Sequence, residues 1–188
     1  MPHNQRWRLL GAVAEVLAEE GHVGTSSTKV SKVAGVSPAT FYQHFDNIGD
    51  CLLAAYEAAF DCILALVREA CAEEQIGWPQ RLAVAVASTL RFLAVEPATA
   101  HLLGTEAPAG ERMVAEARLR SIERLAALLA SGRTLRAKGA PDLPDGTERH
   151  LIAGACATCS EWIAAGDVER LPELAPELTK TLSAPYGG

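Results

Sequence analysis

The residues best suited to chemistry are hydroxyl and aromatic side chains that follow a turn near the N-terminus. Ser37 and Pro38 form a helix start signal, because serine caps a first turn and proline fits the first helical position. The helix that they open is predicted to end at His44 and carries Thr40 and Tyr42. Hydroxyls, rings and free amides at a helix start can bind phosphate oxygens and base edges, which is the chemistry of DNA recognition.

Two further helices must position this segment. A short helix over residues 27–33 is predicted from Ser26, a capping residue, and from Gly35, which can adopt the left-handed conformation of a tight turn. A longer amphipathic helix over residues 4–20 precedes it, has Trp7 on its apolar face, and is predicted to stop at Gly21. Two short helices after a longer one form the tri-helical arrangement that places a recognition helix in the major groove.

The rest of the chain is also predicted to be helical. Hydrophobic residues make up 49% of it, aromatic residues only 5%, and no apolar residues alternate at period two. We therefore expect an all-α fold of about nine helices, with a three-helix helix-turn-helix domain over residues 1–47 and a helical ligand-binding and dimerisation domain over 48–188. The further helices are predicted over 48–74, 79–95, 97–103, 111–131, 147–165 and 171–183, with an exposed loop over 133–146.

Composition and charge narrow the class of protein. The formal net charge of −6 lies entirely after residue 47, so the helix-turn-helix segment is neutral and compatible with DNA. No apolar stretch reaches membrane-spanning length, and the N-terminus lacks the apolar core of a signal peptide, so we expect a cytoplasmic protein with no membrane partner. Five histidines in unrelated places and no nucleophile motif argue against an enzyme. We expect no cofactor and no metal.

Residues 26–45 resemble the signature of the TetR family of transcriptional regulators. The resemblance depends on the alanine-glycine-valine-serine turn at 34–37, on Tyr42 and on the closing Phe45, all at the family spacing. It implies a homodimeric repressor that binds a palindromic operator and is released by a small, apolar effector. The residues that it implies for contact with DNA are Ser26, Ser27, Thr28, Lys29, Ser37, Pro38, Ala39, Thr40, Tyr42 and His44.

Some residues of the segment are interpreted as structural instead. Phe41, Phe45, Val30 and Val33 are most simply the core of the small domain. The chain also departs from the family at Ile48, where the resemblance implies a lysine that contacts a phosphate. Losing one phosphate contact should reduce the salt dependence of binding by about one unit and weaken binding uniformly across DNA sequences.

The resemblance also implies an effector pocket and a dimer interface. Its pocket lies among the fourth to eighth helices, and the candidate lining residues are Phe60, Leu64, Ser88, Phe92, His101, Leu102, Ala117, Cys159 and Trp162. The last two helices are expected to form the interface. One offers a face of small residues at Gly154, Ala157, Thr158 and Glu161, and the other offers a leucine stripe from Leu171 to Leu182.

Two alternatives remain open at the level of the sequence. Cys156 and Cys159 have the spacing of a redox or metal-binding pair, which would make the protein a thiol- or metal-responsive regulator. The zero net charge of residues 1–47 and the absence of a lysine at position 48, which is Ile48, are also compatible with an interaction module that does not bind DNA. The sequence identifies neither the operator, the effector, the regulated genes nor the direction of regulation.

Overall fold

Nine α-helices and three short 3₁₀ helices make up the computed structural model, which describes residues 2–104, 112–138 and 141–187. The expected all-α fold is confirmed, and those ranges contain no strand. The α-helices are α1 Pro2–Gly24, α2 Ser27–Ala34, α3 Pro38–His44, α4 Ile48–Ala72, α5 Trp78–Val95, α6 Pro97–Gly104, α7 Arg112–Leu129, α8 Thr147–Ala164 and α9 Ala175–Ser183. The 3₁₀ helices are Ala130–Leu135, Val168–Leu174 and Ala184–Tyr186.

Local signals determine where α2 and α3 begin and end. The Ser26 hydroxyl accepts a hydrogen bond from the amide of Lys29, and the Ser37 hydroxyl accepts one from the amide of Thr40. Each serine thereby satisfies an amide that has no partner within its helix. Gly35 adopts φ 62° and closes α2 with bonds from the turn back to the last carbonyls of the helix. The tight turn between the two helices is therefore encoded by a few neighbouring residues.

The first helix differs in two ways from its prediction. Gly21 has φ 67° and ψ −178°, so the backbone leaves the helical conformation there as predicted, but one more turn follows as far as Gly24. The Thr25 hydroxyl then donates to the Gly21 carbonyl at 2.8 Å. Trp7 does not lie on the buried face, because 57% of its surface is exposed.

The small domain has a tightly packed interior. Phe41 and Val30 are fully buried and Phe45 is nearly so, which confirms their structural interpretation, and they pack with Leu9 and other apolar residues of α1. Val33 is different: 48% of its surface is exposed, because it lies outside the buried face of α2, which is formed by Val30, Ser31 and Ala34. Its assignment to the core was wrong.

Two C-terminal segments also differ from prediction. Residues 168–174 form a 3₁₀ helix, and α9 begins only at Ala175, because Pro172 and Pro176 remove backbone donors that a continuous α-helix needs. The expected loop after α7 begins later than predicted, since Ala130–Leu135 form a 3₁₀ helix. The predicted start of the seventh helix at residue 111 and the loop glycine at 139 lie outside the described residues.

Three apolar clusters connect the helices. The first begins in α1, α2 and α3 and continues without a break into α4, α6 and α7, where it includes Leu102 and Ala117. The second joins α4, α5, α6 and α8 to the 3₁₀ helix before α9, and the third joins α7, α8 and the C-terminus. The N-terminal helices therefore share a core with the helices of the larger domain.

In the part of the chain that the structure describes, no single helix has the length and apolarity to cross a membrane. Only α5 and α6 taken together reach the required length and composition, and these two helices meet at a bend of 111°.

Candidate nucleic-acid interface and internal cavity

The ten residues predicted to contact DNA lie on α2, on α3 and at the caps that precede these helices. None of them is buried: Tyr42 is 58% exposed, and Ser27, Thr40 and His44 are half-buried. Beneath them lies Phe41, whose ring packs edge-on against the Tyr42 ring with the centroids 5.3 Å apart. The packed interior therefore holds the recognition helix α3 with its polar side chains directed outward.

Hydrogen bonds tie the exposed side chains of the two short helices together. The hydroxyls of Ser27 on α2 and Tyr42 on α3 are 3.1 Å apart, and those of Ser37 and Thr40 are 2.9 Å apart. These bonds fix the orientation of the side chains before any ligand arrives, which lowers the entropic cost of forming an interface.

Three cations of this region, Lys29, Arg8 and Arg6, have partners within the chain. Lys29 pairs with Glu20 near the end of α1, so its charge is partly neutralised. Arg8 on α1 donates to the carbonyl of Gly35 at 3.3 Å and thereby holds the turn between α2 and α3. Arg6 lies over the Phe45 ring, 5.4 Å from its centroid. Both arginines therefore belong to the support of the recognition helix.

Sequence reasoning missed two kinds of residue here. It did not assign Arg6 and Arg8 to the contacts that hold α3 and the turn before it, because those contacts depend on how α1 crosses α3 and the turn. It also omitted Gln43, which is exposed on α3 between Tyr42 and His44. That position could have been found from its place in the recognition helix alone.

The start of α4 explains the residue that departs from the family pattern. Asn47 caps the helix by accepting a hydrogen bond from the Asp50 amide at 2.9 Å, and its side-chain amide donates to the Asp50 carboxylate. Ile48 is half-buried and packs against the first apolar cluster. This position thus contributes to packing and offers no cation to a phosphate.

A cavity of about 660 Å³ lies within the larger domain. It extends along α4 from Tyr56 to Cys71, a span of about 22 Å at the helical rise of 1.5 Å per residue. Residues of α5, α6, α7, α8 and α9 complete its walls. Most of the lining residues are apolar, among them Ile63 and Val67 of α4 and Leu125 of α7. Its volume lies in the range typical of small-molecule sites.

The structure brings only two of the nine predicted pocket residues to the cavity, Phe60 and Cys159. Leu64, Leu102 and Ala117 are buried in the first apolar cluster. Phe92 and Trp162 pack on the second cluster, and Ser88 and His101 are half-buried away from the lining. The lining residues that the sequence did not predict include all of the polar ones described below. They were missed because the helix faces that point into the cavity depend on how the helices cross.

Polar side chains line both ends of the cavity: Tyr56, Arg118, Ser121 and Ser160 at one end, and Arg81, Ser131 and Thr134 at the other. Tyr56 and Ser121 lie near each other at the first end, and Arg118 donates to the Ser160 hydroxyl at 3.2 Å. Burial raises the pKa of Tyr56, so the phenol keeps its proton. Thr89 on α5 also lines the cavity, and its buried hydroxyl oxygen has no hydrogen-bond partner among the described residues.

The paired cysteines are poorly suited to thiol chemistry. Cys156 and Cys159 both line the cavity as free thiols. Burial raises the pKa of both, to about 12 for Cys159, so the reactive thiolate is suppressed at neutral pH. Among the described residues, no three histidine, cysteine or acidic side chains converge to hold a metal ion. The thiol- or metal-responsive alternative is therefore not favoured.

The predicted dimer surfaces on the last two helices differ in accessibility. Gly154, Ala157 and Glu161 are exposed on α8, and a methyl group added at Gly154 would meet open space. The leucine stripe does not offer a free face, because Leu171, Leu174, Leu178 and Leu182 are all buried within this chain. That part of the prediction was wrong, since these leucines cover the chain's own core and, at 178 and 182, its cavity.

Comparison with known proteins agrees with this architecture. Residues 9–55 match the model of the bacterial regulatory proteins of the tetR family. A solved structure of the fatty acid degradation regulator FadR from Bacillus halodurans is 21% identical, covers 95% of this chain and 94% of its own, and gives a TM-score of 0.81. FadR from Bacillus subtilis in complex with stearoyl-CoA is also 21% identical, with coverage of 95% and 97% and a TM-score of 0.79.

A third solved structure is a TetR-family transcriptional regulator assigned to Syntrophomonas wolfei. It is 18% identical, covers 98% of this chain and 97% of its own, and gives a TM-score of 0.78. No curated protein matches the sequence.

The exposed recognition helix and its capped turn define a DNA-binding helix-turn-helix transcription regulator. Residues 9–55 match the model of the TetR family, and the whole chain shares the fold of solved TetR-family regulators. The resemblance noted in the sequence is thereby confirmed.

Proposed function

We propose that this protein is a homodimeric transcriptional repressor that binds a palindromic operator and leaves it when an elongated apolar effector enters the cavity. In this proposal residues 1–47 form the DNA-binding head, and residues 48–188 form the sensing and dimerisation domain, acting on DNA in the cytoplasm. The observation that carries it is the apolar cluster that continues from the head into helices that also line the cavity.

Two helices could transmit the effector's presence to the head. In α6, Ala100, Leu103 and Gly104 line the cavity, whereas Leu102 packs in the cluster that contains Leu9 and Val13 of α1. In α4, Phe60 belongs both to the cavity wall and to that cluster. A ligand that displaces α4 and α6 would therefore shift the head, and in a dimer it would change the separation of the recognition helices.

The space around α6 is tight enough to make such a shift plausible. A methyl group added at Gly104 would come within 2.5 Å of Ile163 on α8. Packed interiors respond to added volume by moving elements relative to one another, since they have few voids to absorb it. An effector that fills the cavity beside Gly104 would act in the same place.

The ligand class is inferred from the cavity and from two relatives. The cavity is long and largely apolar, which suits an aliphatic chain. The relative from Bacillus halodurans is a fatty acid degradation regulator, and that from Bacillus subtilis was solved with stearoyl-CoA. We therefore infer an effector of the fatty-acyl type.

A dimer is required because one helix-turn-helix reads only a few base pairs, and two copies about 34 Å apart reach successive turns of one DNA face. We place the interface on the last two helices, chiefly on the exposed small-residue face of α8 around Gly154 and Ala157. Small residues let two helices approach closely.

Binding to the DNA upstream of the protein's own gene tests the proposal. The wild type is compared at low salt with Tyr42→Ala, which removes an exposed side chain of the recognition helix, and with Leu119→Ala, a matched change at an exposed side chain of α7. We expect Tyr42→Ala to weaken specific binding at least tenfold and Leu119→Ala to leave it unchanged. Equal binding by all three proteins would contradict the proposed DNA surface.

The release step needs a second measurement on the same complex. Fluorescence anisotropy of labelled operator is followed while a long-chain fatty acid or its coenzyme A thioester is added. We expect release at ligand concentrations that saturate the cavity. Saturation of the cavity without any change in operator affinity would refute the effector mechanism.

A further inference from the structure

Polar side chains line both ends of the cavity, and at the Trp78 end Arg81, Ser131 and Thr134 donate hydrogen bonds to backbone carbonyls of the chain itself. We use the term anion site for Tyr56, Arg118, Ser121 and Ser160, which meet at one end of the cavity from α4, α7 and α8. All four side chains can donate a hydrogen bond, and one of them is a permanent cation. The long wall that runs from Phe60 to Val67 on α4 is apolar.

The charge of the lining has one sign. Among the cavity-lining residues that the structure describes, the charged ones are Arg81 and Arg118, and none is an aspartate or a glutamate. Arg81 lies at the other end, where its guanidinium donates to the Cys71 carbonyl in the last turn of α4. Arginine at that position stabilises the helix end. Arg118 donates to the hydroxyl of Ser160, a side chain of another helix that also lines the cavity.

The electrostatic field of Arg118 extends to its neighbours in the cavity. Its positive charge favours the ionised forms of Tyr56 and Cys156, although burial outweighs this effect and raises the pKa of both groups. A negative group on a bound ligand would experience the same attraction, strengthened by the low dielectric of an apolar cavity.

We propose that the effector is a long-chain aliphatic anion whose negative group binds at the anion site through Arg118 while its chain extends along α4 toward Trp78. This inference rests on the proposed effector function and specifies the ligand's charge and orientation. The guanidinium provides paired donors that match a carboxylate or a phosphate oxygen, and Tyr56, Ser121 and Ser160 can donate to the remaining lone pairs.

The apolar part of the cavity wall determines which kind of ligand chain the cavity accepts. Ile63, Val67 and Leu125 offer a wall to an alkyl chain and no partner to a polar one. The Thr89 hydroxyl, which lacks a partner among the described residues, is available to one polar atom of the ligand on the α5 side. A ligand with one polar end therefore fits better than one with polar groups along its length.

The test uses the full-length protein and displacement of an uncharged apolar dye from the cavity. Hexadecanoate and hexadecanol are compared, because they share a chain and differ in charge. We expect hexadecanoate to bind the wild type roughly ten- to a hundredfold more tightly, the range for one charge-assisted hydrogen-bond pair. Equal binding of the acid and the alcohol would exclude a carboxylate at the anion site, and equal binding of hexadecanoyl-CoA as well would overturn the inference without any variant.

Arg118→Gln should remove the preference for hexadecanoate and leave the affinity for hexadecanol and the dye within about twofold. Arg118→Lys retains the charge and should restore part of the preference. The matched control is Arg120→Gln, two residues along α7, which removes an exposed arginine paired with Glu57 outside the cavity. A preference that survives in Arg118→Gln, or is lost equally in Arg120→Gln, would contradict the role of Arg118.

Hexadecanoyl-CoA distinguishes the source of the negative group. If Arg118→Gln weakens binding of hexadecanoate, the anion is a carboxylate. If the wild type does not prefer hexadecanoate to hexadecanol and Arg118→Gln weakens only hexadecanoyl-CoA, the anion is a phosphate. Either result supports the inference, and unchanged binding of both ligands overturns it. If no lipid displaces the dye, the fatty-acyl effector of the proposed function fails as well, whereas equal displacement by acid and alcohol leaves that function intact.

Discussion

The DNA-binding head and the cavity region satisfy their polar groups in different ways. In the head, most hydroxyls bond within a few residues along the chain, as Ser37 does with Thr40 and Thr25 with Gly21, and the pair of Ser27 and Tyr42 is the longer-range exception. Around the cavity, hydroxyls also bond locally, but further hydrogen bonds join residues distant in sequence: Trp78 donates to Ser131, 53 residues away, and Arg118 to Ser160, 42 residues away.

This difference has a physical consequence for how each region works. Local bonds form with the helices themselves, so the recognition surface can be rigid even though the head is small. Bonds between distant elements exist only when α4, α5, α7 and α8 pack correctly, so they report the arrangement of those helices. A region that must change its arrangement upon ligand binding is suited to the second kind of bond.

The largest effect is expected from Phe41→Ala, which removes an aromatic ring from the packed centre of the DNA-binding head. The ring is fully buried, and its removal should destabilise the protein by about 3–5 kcal/mol and abolish DNA binding. Urea unfolding and operator binding measure the two effects. Val33→Ala, on the neighbouring helix but half-exposed, should cost no more than about 0.5 kcal/mol. Similar losses from both changes would mean that the head lacks a packed core.

A second prediction concerns the long-range contacts at the far end of the cavity. Glu148 on α8 is only 6% exposed and accepts two hydrogen bonds from Arg133, at 2.6 and 2.8 Å, and one from Tyr186. These donors, Arg133 first, lower the pKa of Glu148 to about 2 from 4.5. At about 1.4 kcal/mol per pKa unit, the carboxylate stabilises the fold by about 3 kcal/mol at neutral pH.

Because the folded-state pKa is lowered, this stabilisation is present above pH 4.5 and is lost as the pH falls from 4.5 toward 2. Glu148→Gln should lower the free energy of unfolding at pH 7 and flatten its decline between pH 5 and 3. Glu123→Gln, which breaks an exposed pair with Arg149, is the control and should change stability by less than about 1 kcal/mol. A wild-type acid profile that Glu148→Gln leaves unaltered would refute the prediction.

The same contrast explains which features the sequence could predict. The bounds of α3 were predicted to the residue and those of α2 to within one, because Ser26, Gly35, Ser37 and Pro38 act on their immediate neighbours. The start of α9 was missed although Pro172 and Pro176 were visible, because the leucine period over 171–182 favoured a continuous helix.

The cavity was not predictable in the same way. Each of α4, α5 and α7 has apolar residues on more than one side, so periodicity alone does not identify the side that faces the cavity. Arg118 and Tyr56 meet only because α4 and α7 cross near their positions. Likewise the pairing of Lys29 with Glu20 depends on the break at Gly21, which turns the end of α1 toward α2.

Two threonines, one in the head and one in the cavity wall, extend the comparison, with a smaller expected change in the free energy of unfolding. The Thr89 hydroxyl in the cavity wall is buried and without a partner among the described residues, whereas the Thr25 hydroxyl in the head donates to Gly21 at 2.8 Å. Thr89→Val should stabilise the ligand-free protein by about 1 kcal/mol, because it removes an unsatisfied polar group. Thr25→Val should destabilise it by a similar amount. Thermal unfolding of the two variants measures both, and a loss of stability in Thr89→Val would indicate that its hydroxyl is bonded.

The smallest expected effect tests whether Glu20, an acidic residue of the DNA-binding head, lowers the affinity of the head for DNA. Glu20 pairs with Lys29, which belongs to the proposed DNA surface, and both side chains are largely exposed. Glu20→Gln should free the lysine for a phosphate, raise operator affinity severalfold and steepen the salt dependence by up to about one unit. The matched control is Glu19→Gln, which removes the same charge from an exposed neighbour on α1. Equal gains from both variants would assign the effect to net charge, and a gain confined to Glu20→Gln would show that the pair with Lys29 limits binding.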